Sequence, residues 1–451
     1  MIKSVNTRAV VLDILIEVNE NGEYSHIVIN NALKKYQYLE KKDRAFISRL
    51  ARGTIERQIT IDYILDEFSS VAVKRMKPVM RNILRMSVYQ IVYMDSVPDN
   101  AAVDEAVKLV HRRGLFNLSG FANGVLRNVV RSYDTLVYPG KEVNIVRHLS
   151  VKYSMPEWIV KKWLMDYGEE QTEIMLKASL DADDTTIRVN TNRISPTELI
   201  EDLAHENVVA KEAPYLPCAL KISGYNYLDT VKSFEDGLFQ IQDVSSMLVG
   251  LVANPKKDNY IIDVCAAPGG KSLHLSELLG QTGYVEARDI SEYKVSLIRE
   301  NIERMQANNV SARVMDALNH DELSVDKADI VIADLPCSGL GVIGKKKDIK
   351  YKVTEERQME LVKLQREILS VIHDYVKPGG YLIYSTCTVN NGENIDNVRW
   401  FTRNFKFVLE SISNELPLEL RSDTTDEGFL ALYPGVHKCD GFFIAKLKRI
   451  G

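Results

Sequence analysis

The chain has 451 residues, about three times the size of a common domain, so roughly two to four domains are expected. Its apolar fraction of 45% and charged fraction of 26% are ordinary for a soluble globular protein. No run of about eighteen apolar residues is present, so no membrane span is expected. The stretch MIKSVNTRAV lacks the apolar core of a secretory signal, which favours the cytoplasm.

The charge is divided unevenly along the chain. Residues 1–150 carry 22 Lys and Arg against 16 Asp and Glu, whereas residues 151–451 carry 35 against 46. A basic N-terminal region indicates a polyanionic partner, although a solvated helical surface with surplus lysine explains the same numbers.

The first region, residues 1–140, is predicted to be an all-α bundle. Apolar residues recur at three- and four-residue spacing in RAVVLDILIEV, RAFISRLARGTIER, ITIDYILDEF, KPVMRNILRMSVYQIVYM and AAVDEAVKLVHRR. Its basic residues are candidates for contacts with RNA phosphates, or else plain surface: Lys74, Arg75, Lys77, Arg112, Arg113, Arg127 and Arg131.

Residues 141–250 are predicted to form a small α+β domain. YSMPEWIVKKWLMDYG favours a helix that begins after Pro156, and TTIRVNTNR alternates like a strand. A second helix is predicted from Ser195 through His205, followed by short strands and turns up to about residue 250.

Residues 251–451 alternate apolar strands with amphipathic helices. The strands are YIIDVC, YVEARDI, SARVMDA, ADIVIADL, GYLIYST and FFIAKLKR, and one long helix is predicted from Gln365 to Val376. This pattern predicts an α/β domain with a largely parallel sheet and helices on both faces. Ligands of such folds bind at the carboxyl ends of the strands, which here selects the loops Cys265–Ser272, Leu335–Gly341 and Ser385–Asn394.

The first loop, DVCAAPGGKS, has two glycines where a strand passes into a helix, which suits a close approach to a ligand. Its end also fits a phosphate-binding loop, but Cys265 stands where the opening glycine of that motif belongs. Asp289, nineteen residues after Gly270, ends the second strand, as does an acid that binds ribose hydroxyls. An adenosine-type ligand is therefore favoured, with Asp316 on its adenine side; each aspartate alone is equally well explained as a turn or cap residue.

The cysteines lie at positions 218, 265, 337, 387 and 439, without a CxxC pair or a metal-ligand spacing, so no metal is expected. Cys337 follows the fourth strand with Asp334, and Cys387 follows the strand YLIYST. Two thiols, a carboxylate and a nucleoside pocket suit methylation of carbon 5 of a pyrimidine. A thiolate adds to carbon 6, carbon 5 then accepts a methyl group from S-adenosylmethionine, and a base removes the carbon-5 proton.

These motifs together resemble the RNA 5-methylcytosine methyltransferases of the NOL/NOP/Sun group. The likeness spans about residues 150–451 and rests on RVN (188–190), FQIQDVSS (239–246), DVCAAPGGKS, DIS (289–291), MDA (315–317), ADLPCSGLG, YSTCT and DGFF (440–443). Residues 1–131 resemble the antitermination factor NusB through DRAF (43–46), RNILRMSVYQ (81–90) and FANGVLRN (121–128).

The resemblance implies a Rossmann-like S-adenosylmethionine-dependent domain over 251–451, a NusB-like RNA-binding domain over 1–140 and a linker domain over 141–250. It implies a monomer that methylates one cytosine of small-subunit (16S) ribosomal RNA. Cys387 would be the nucleophile, Cys337 would assist deprotonation and release, and Asp334 would contact the cytosine. The cofactor site would be lined by Cys265, Ala266, Ala267, Pro268, Gly269, Gly270, Lys271, Asp289, Asp316 and Asp334.

One stretch departs from the family pattern. Where relatives commonly have two basic residues and a proline before Asp-Ile-Lys, this chain reads GKKKDIKY, with Gly344 for the first basic residue and Lys347 for the proline. The retained charge is expected to contact RNA. Three other functions stay open on the sequence: methylation of transfer RNA, nucleotide hydrolysis at CAAPGGKS, and a non-catalytic role in ribosome assembly.

Overall fold

A computed structural model describes residues 5–181, 184–280 and 282–451, so the first four residues of the predicted N-terminal bundle lie outside the described residues. The chain divides into two compact units. One comprises Met1–Leu180 with Lys345–Lys352, and the other comprises Asp181–Gly344 with Val353–Gly451. Within the described residues, no helix is long and apolar enough to cross a membrane.

The first unit is helical, as predicted for its N-terminal part. Its helices are α1 (Thr7–Asn19), α2 (Ser25–Lys35), α3 (Lys41–Glu56), α4 (Gln58–Phe68), α5 (Pro78–Tyr93), α6 (Asp99–Arg112), α7 (Ser119–Ser132), α8 (Ile145–Tyr153) and α9 (Glu157–Ala178). Helix α5 lies at the centre of this unit, since ten of its residues are buried and they cover nearly all faces of the helix. Proline at its first position suits a helix start, where no backbone donor is needed.

The segment Lys345–Lys352 packs with this helical unit rather than with the sheets that flank it in sequence. Asp348 accepts hydrogen bonds from the backbone N–H of Ser25 at 3.0 Å and from its hydroxyl at 2.5 Å. Lys347 pairs with Glu56 and donates to the carbonyl of Ser179 at 3.2 Å. The buried Lys350 donates to the carbonyl of Glu56 at 2.9 Å. Lys347 and Lys350 therefore bind partners within the protein, whereas the sequence alone predicted that the charge of GKKKDIKY contacts RNA.

The second unit begins with a four-stranded antiparallel sheet in the order β2-β3-β1-β4. Its elements are β1 (Thr185–Val189), α10 (Pro196–His205), β2 (Val209–Glu212), β3 (Ala219–Ser223), α11 (Lys232–Glu235) and β4 (Phe239–Ile241), followed by α12 (Val244–Ala253). Helix α10 starts where predicted, because Ser195 and Glu198 form a reciprocal capping box.

The larger sheet follows in the order β10-β12-β9-β8-β5-β6-β7, with β11 paired to β12. Its elements are β5 (Tyr260–Asp263), α13 (Gly270–Leu278), β6 (Tyr284–Asp289), α14 (Glu292–Met305), β7 (Val310–Val314), β8 (Ala328–Asp334), α15 (Ile349–Lys352, packed with the helical unit), α16 (Glu355–Ile372), β9 (Val376–Thr386), α17 (Ile395–Asn404), β10 (Phe407–Leu409), α18 (Asp423–Glu427), β11 (Phe429–Leu432) and β12 (Phe442–Arg449).

The predicted parallel pairing is confirmed for β5 to β9, and the Rossmann-like α/β fold is confirmed with it. The sheet is mixed, however, because β12 runs antiparallel to β9 and to β10 and β11. The helix predicted to reach Val376 ends at Ile372, and Val376 already belongs to β9. The strand order reverses between β5 and β8, which places a ligand crevice at their carboxyl ends.

Candidate active site

The loop after β5 forms a tight turn into helix α13. Gly269 has φ of 102°, a left-handed conformation that favours glycine, and its N–H donates to the carbonyl of Ala266 at 2.7 Å. A Cβ on Gly270 would meet only Gln242 Cδ, at 3.8 Å. The loop therefore brings bare backbone to the start of the helix, where its first N–H groups are available to a ligand.

Asp289, at the end of β6, is tied to this loop. One carboxylate oxygen accepts the N–H of Ala267 at 2.9 Å, and the other accepts the N–H of Ile290 at 2.8 Å. Lys294 lies 3.0 Å away as an ion-pair partner. The carboxylate thus joins the end of β6 to the residues that the sequence assigned to the cofactor.

Asp316 lies in the turn that follows β7. Its carboxylate accepts the N–H of Leu318 at 3.0 Å, and its carbonyl accepts the N–H of Asn319 at 2.9 Å. These contacts are those of a turn residue, one of the two explanations considered for Asp316. Among the contacts of the described residues, none joins Asp316 directly to Asp289 or Asp334.

Asp334, at the end of β8, is the meeting point of two neighbouring loops. Lys271 Nζ donates to one carboxylate oxygen at 2.7 Å, and Ser385 Oγ donates to the other at 2.8 Å. Burial alone would lower the pKa of Lys271, but the charge and hydrogen bond of Asp334 outweigh it, and the net shift is upward, with Cys387 contributing. Lys271 is therefore charged near neutral pH, and it lies beside Asp334 and interacts electrostatically with Cys387.

The two predicted cysteines are adjacent. The Sγ atoms of Cys337 and Cys387 are 3.2 Å apart, and both residues are half-buried. The hydrogen bond with Cys387, burial, and the negative charges of Glu393 and Asp334 raise the pKa of Cys337 well above its usual range. Cys337 is therefore a protonated thiol near neutral pH, and it can donate its proton toward Cys387.

Backbone contacts hold the cysteine loops together. The N–H of Gly341 donates to the carbonyl of Cys387 at 3.1 Å, and the N–H of Gly441 donates to the carbonyl of Gly341 at 2.9 Å. The motifs ADLPCSGLG, YSTCT and DGFF, distant in sequence, thus meet at one edge of the sheet. Two glycines are required because a Cβ on Gly341 would lie 2.0 Å from the carbonyl oxygen of Gly441.

Two further residues at this edge were not assigned from the sequence. Buried Arg188 on β1 forms two bonds to the carboxylate of Glu277, at 2.7 and 3.0 Å, and donates to the carbonyl of Gly270 at 2.9 Å. It clamps the start of α13. Buried Glu393 is bonded to both cysteine loops. Arg188 lies in the RVN motif, but its role was not apparent because its partner Glu277 is 89 positions away. Glu393 was missed because an acid after Asn391 and Gly392 has the appearance of a residue at a helix start.

Cys265 and Arg288 have other surroundings. Burial, with the charges of Asp263 and Asp289, raises the pKa of Cys265, so this thiol is inert at neutral pH. Arg288 bonds Glu286 at 2.8 Å and Ser324 at 2.6 Å, which accounts for an arginine beside the β6 aspartate. Among the described residues, no cluster of His, Cys, Asp and Glu has the arrangement of a metal site.

Comparison with protein families gives matches over most of the chain. A model described as 16S rRNA methyltransferase RsmB/F matches residues 250–448. A NusB family model matches residues 5–131, and a model described as the Methyltr_RsmF/B-like, ferredoxin-like domain matches residues 155–227.

Whole-length relatives and solved structures agree with these matches. The probable ribosomal RNA small subunit methyltransferase B of Bacillus subtilis (strain 168) is 35% identical over 100% of both chains. That of Synechocystis sp. is 30% identical over 99% of this chain and all of the other. The crystal structure of PH0851 has 27% identity and a TM-score of 0.83 over 99% of both chains. The structure of NSun6 from Pyrococcus horikoshii with SFG has 26% identity and a TM-score of 0.60 over 66% of this chain and 98% of the other.

Proposed function

Because the chain belongs to the 16S rRNA methyltransferase RsmB/F family, we propose that it transfers a methyl group from S-adenosylmethionine to carbon 5 of one cytosine in 16S rRNA. The observation that carries the proposal is the pair of thiols, with Sγ atoms 3.2 Å apart, beside the Lys271–Asp334 ion pair. A binding module or a nucleotide hydrolase needs no such pair of thiols.

The residues around the β5 loop fit S-adenosylmethionine, which supplies an electrophilic methyl group when bound. The bare backbone of Gly269 and Gly270 at a helix start suits a close-fitting polar ligand, and Asp289 offers the acid that ribose hydroxyls require. Arg188 holds the carbonyl of Gly270 and thereby the shape of this loop. The related NSun6 structure contains SFG, a compound of the S-adenosylmethionine type, which supports the same cofactor class here.

Cys387 is the nucleophile in this proposal. Its thiolate adds to carbon 6 of the cytosine, and the electron pair of the C5–C6 double bond moves toward N3, so carbon 5 becomes nucleophilic and takes the methyl group. The charge of Lys271, held in place by Asp334, stabilises a thiolate at Cys387. Asp334 contacts the cytosine ring in this proposal and holds Lys271, whose positive charge offsets the negative charge that develops toward N3.

Cys337 has the complementary role. Its raised pKa depends first on the hydrogen bond with Cys387, and that cause disappears once Cys387 is bonded to carbon 6. Loss of that cause lowers the pKa of Cys337, its proton passes to solvent water, and the resulting thiolate removes the carbon-5 proton. The C5–C6 double bond re-forms and Cys387 leaves as a thiolate. Cys337 therefore acts as the base only after Cys387 has bonded to carbon 6.

The target cytosine must leave its stack to reach these thiols, which favours an unpaired segment of the rRNA. The helical unit carries exposed basic residues at the start of α5, the end of α6 and along α7, suited to phosphate contacts: Lys74, Arg75, Lys77, Arg112, Arg113, Arg127 and Arg131. Arg113 also pairs with Asp13, so its charge is partly neutralised.

The test is to incubate the protein with S-adenosylmethionine and protein-free 16S rRNA and to digest the RNA to nucleosides. We expect 5-methylcytidine from the wild type and none from Cys387→Ala. The control is Cys218→Ala, which removes a thiol next to the small sheet, and it should give wild-type amounts. A different methylated nucleoside would contradict the chemistry. Methylation of transfer RNA but not 16S rRNA would contradict the substrate, and binding of ATP instead of S-adenosylmethionine would contradict the cofactor.

A further inference from the structure

Glu393 is a fully buried acid in the short turn Asn391–Glu393 that precedes helix α17, and its carboxylate accepts four hydrogen bonds. Its carboxylate accepts the backbone N–H of Ser338 at 2.8 Å and the Ser338 hydroxyl at 2.5 Å. It also accepts the side-chain amide N–H groups of Asn390 at 2.9 Å and of Gln365 at 3.2 Å. All of these partners are neutral, so none of these four contacts is an ion pair.

These partners belong to three different segments. Ser338 directly follows Cys337, and Asn390 lies three residues after Cys387. Gln365 belongs to helix α16 and donates its other hydrogen bond to the carbonyl of Pro336 at 2.8 Å. Since a buried carboxylate is costly unless its oxygens are satisfied, the arrangement holds together only when all three segments are in place.

The residues that follow the two cysteines are bonded to each other as well. Ser338 Oγ and Thr388 Oγ1 are 2.8 Å apart. Because the Ser338 hydroxyl donates to Glu393, its oxygen must accept from Thr388. The chain of bonds from Glu393 through Ser338 to Thr388 therefore runs alongside the contact between the two sulfur atoms.

We propose that Glu393 is the positioning residue of the thiol pair: its carboxylate ties the Cys337 loop to the Cys387 loop and so sets the distance and orientation of the two sulfur atoms. The proposal rests on the methyltransferase function proposed above and adds to it a residue that touches neither RNA nor cofactor. A small displacement of either sulfur is sufficient to matter, because a misplacement of about 1 Å costs about 100-fold in rate.

Electrostatics supports the geometry. The groups that face Cys337 are Cys387, Asp334 with its partner Lys271, Tyr384 and Glu393. The hydrogen bond with Cys387 raises the pKa of Cys337 most, and the charge of Glu393 adds to the effect. Removing that charge should therefore let Cys337 ionise at lower pH, a change that a purely structural role of Glu393 does not predict.

The variant is Glu393→Gln, which keeps the size of the side chain but removes its charge and one acceptor. Its matched control is Asp396→Asn, the same type of change at an exposed position three residues later, in helix α17. We expect Glu393→Gln to lower kcat about 100-fold with little change in the Kd for S-adenosylmethionine. We also expect iodoacetamide to alkylate Cys337 at lower pH than in the wild type, as measured by mass spectrometry of the peptide. Asp396→Asn should behave as the wild type in both assays.

Ser338→Ala tests the same link if Glu393→Gln does not fold. It removes the hydroxyl but keeps the backbone donor, so we expect a smaller loss of kcat, and no further loss when it is combined with Glu393→Gln. Wild-type kcat in Glu393→Gln, or in a folded Ser338→Ala, would overturn the proposal, as would an unchanged alkylation profile in Glu393→Gln. The alkylation assay needs no RNA. A shifted profile together with an inactive wild type would therefore reject the proposed function and retain the role of Glu393.

Discussion

Gly341 is the position at which the site is most sensitive to a single added methyl group. It lies four residues after Cys337, and its N–H donates to the carbonyl of Cys387 at 3.1 Å. In Gly341→Ala the new Cβ would lie 2.0 Å from the carbonyl oxygen of Gly441 and 2.8 Å from that of Cys387. Both obstacles are backbone atoms, so the clash cannot be relieved by rotating a side chain.

The size of the effect follows from these distances. A normal contact is near 3.5 Å, so one of the segments must move by more than about 1 Å. Such a shift breaks the hydrogen bonds of Gly341 with Cys387 and Gly441, at a cost of about 1 kcal/mol each in the free energy of unfolding. Because the sulfur atoms move apart by a similar distance, we expect kcat to fall about 100-fold, which corresponds to about 2.7 kcal/mol in activation free energy.

The assay compares kcat for 16S rRNA methylation, the Kd for S-adenosylmethionine and the Tm of Gly341→Ala with those of Gly140→Ala. In the control the new Cβ would meet only Val143 Cγ2, at an ordinary 3.6 Å. The expected result is a large loss of kcat with a Kd close to that of the control. A kcat within about twofold of the control would refute the claim that this backbone contact sets the thiol geometry.

Three further predictions concern buried charges. Burial raises the pKa of Asp263 from 3.8 to about 7 in the folded state, so its ionisation opposes folding and stability is lost as the pH rises from about 4 through 7. We therefore expect Asp263→Asn to raise the Tm, measured by calorimetry, more at pH 8 than at pH 4. Equal gains at the two pH values would contradict this prediction. Burial lowers the pKa of Lys350 from 10.5 to about 7 in the folded state, so protonation opposes folding and stability is lost as the pH falls from about 10.5 through 7. We expect Lys350→Met to raise the Tm more at pH 6 than at pH 9, and a loss of stability at pH 6 would contradict the reasoning. Arg188→Met leaves Glu277 buried without its partner and should lower the free energy of unfolding by about 3–5 kcal/mol, with most of the loss recovered in Arg188→Met/Glu277→Met; a double variant as unstable as the single one would show that the pair is not the cause.

Much of the site was predictable because local patterns determine it. Each strand of the parallel part was recognisable from its apolar run, and the carboxyl ends of parallel strands lie at one edge of a sheet. Cys265, Asp289, Asp334 and Cys387 therefore had to lie near one another once the strands were identified. The family resemblances inferred from the motifs are likewise confirmed by the RsmB/F and NusB family models.

The features that were missed depend on contacts between residues far apart in sequence. The apolar run of β12 gives no information on its direction, so its antiparallel pairing with β9 was not predictable. Helices α2 and α7 were also overlooked, although the buried residues of α7, Ala122, Val125, Leu126 and Val129, follow helical spacing. The role of Glu393 becomes visible only when Ser338, 55 positions away, is placed against it.

The lysine-rich segment illustrates the same limit. GKKKDIKY has the composition of an RNA-binding loop, and its charges predicted that function. In the structure Lys347 pairs with Glu56, and Lys350 is buried against the end of α3. Composition alone does not distinguish a lysine that faces solvent from one that has found a partner within the fold, because the partner is specified by tertiary structure.

The central claim is that Cys387 attacks the base and Cys337 releases it. The most direct measurement is to incubate Cys337→Ala with S-adenosylmethionine and protein-free 16S rRNA and to separate the mixture on a denaturing gel. The account predicts a slowly migrating covalent RNA–protein band that disappears in Cys337→Ala/Cys387→Ala, because attack and methylation proceed while release is blocked. A band that forms with Cys387→Ala and not with Cys337→Ala would reverse the two roles, and no band with either variant, when the wild type methylates this RNA, would contradict the account.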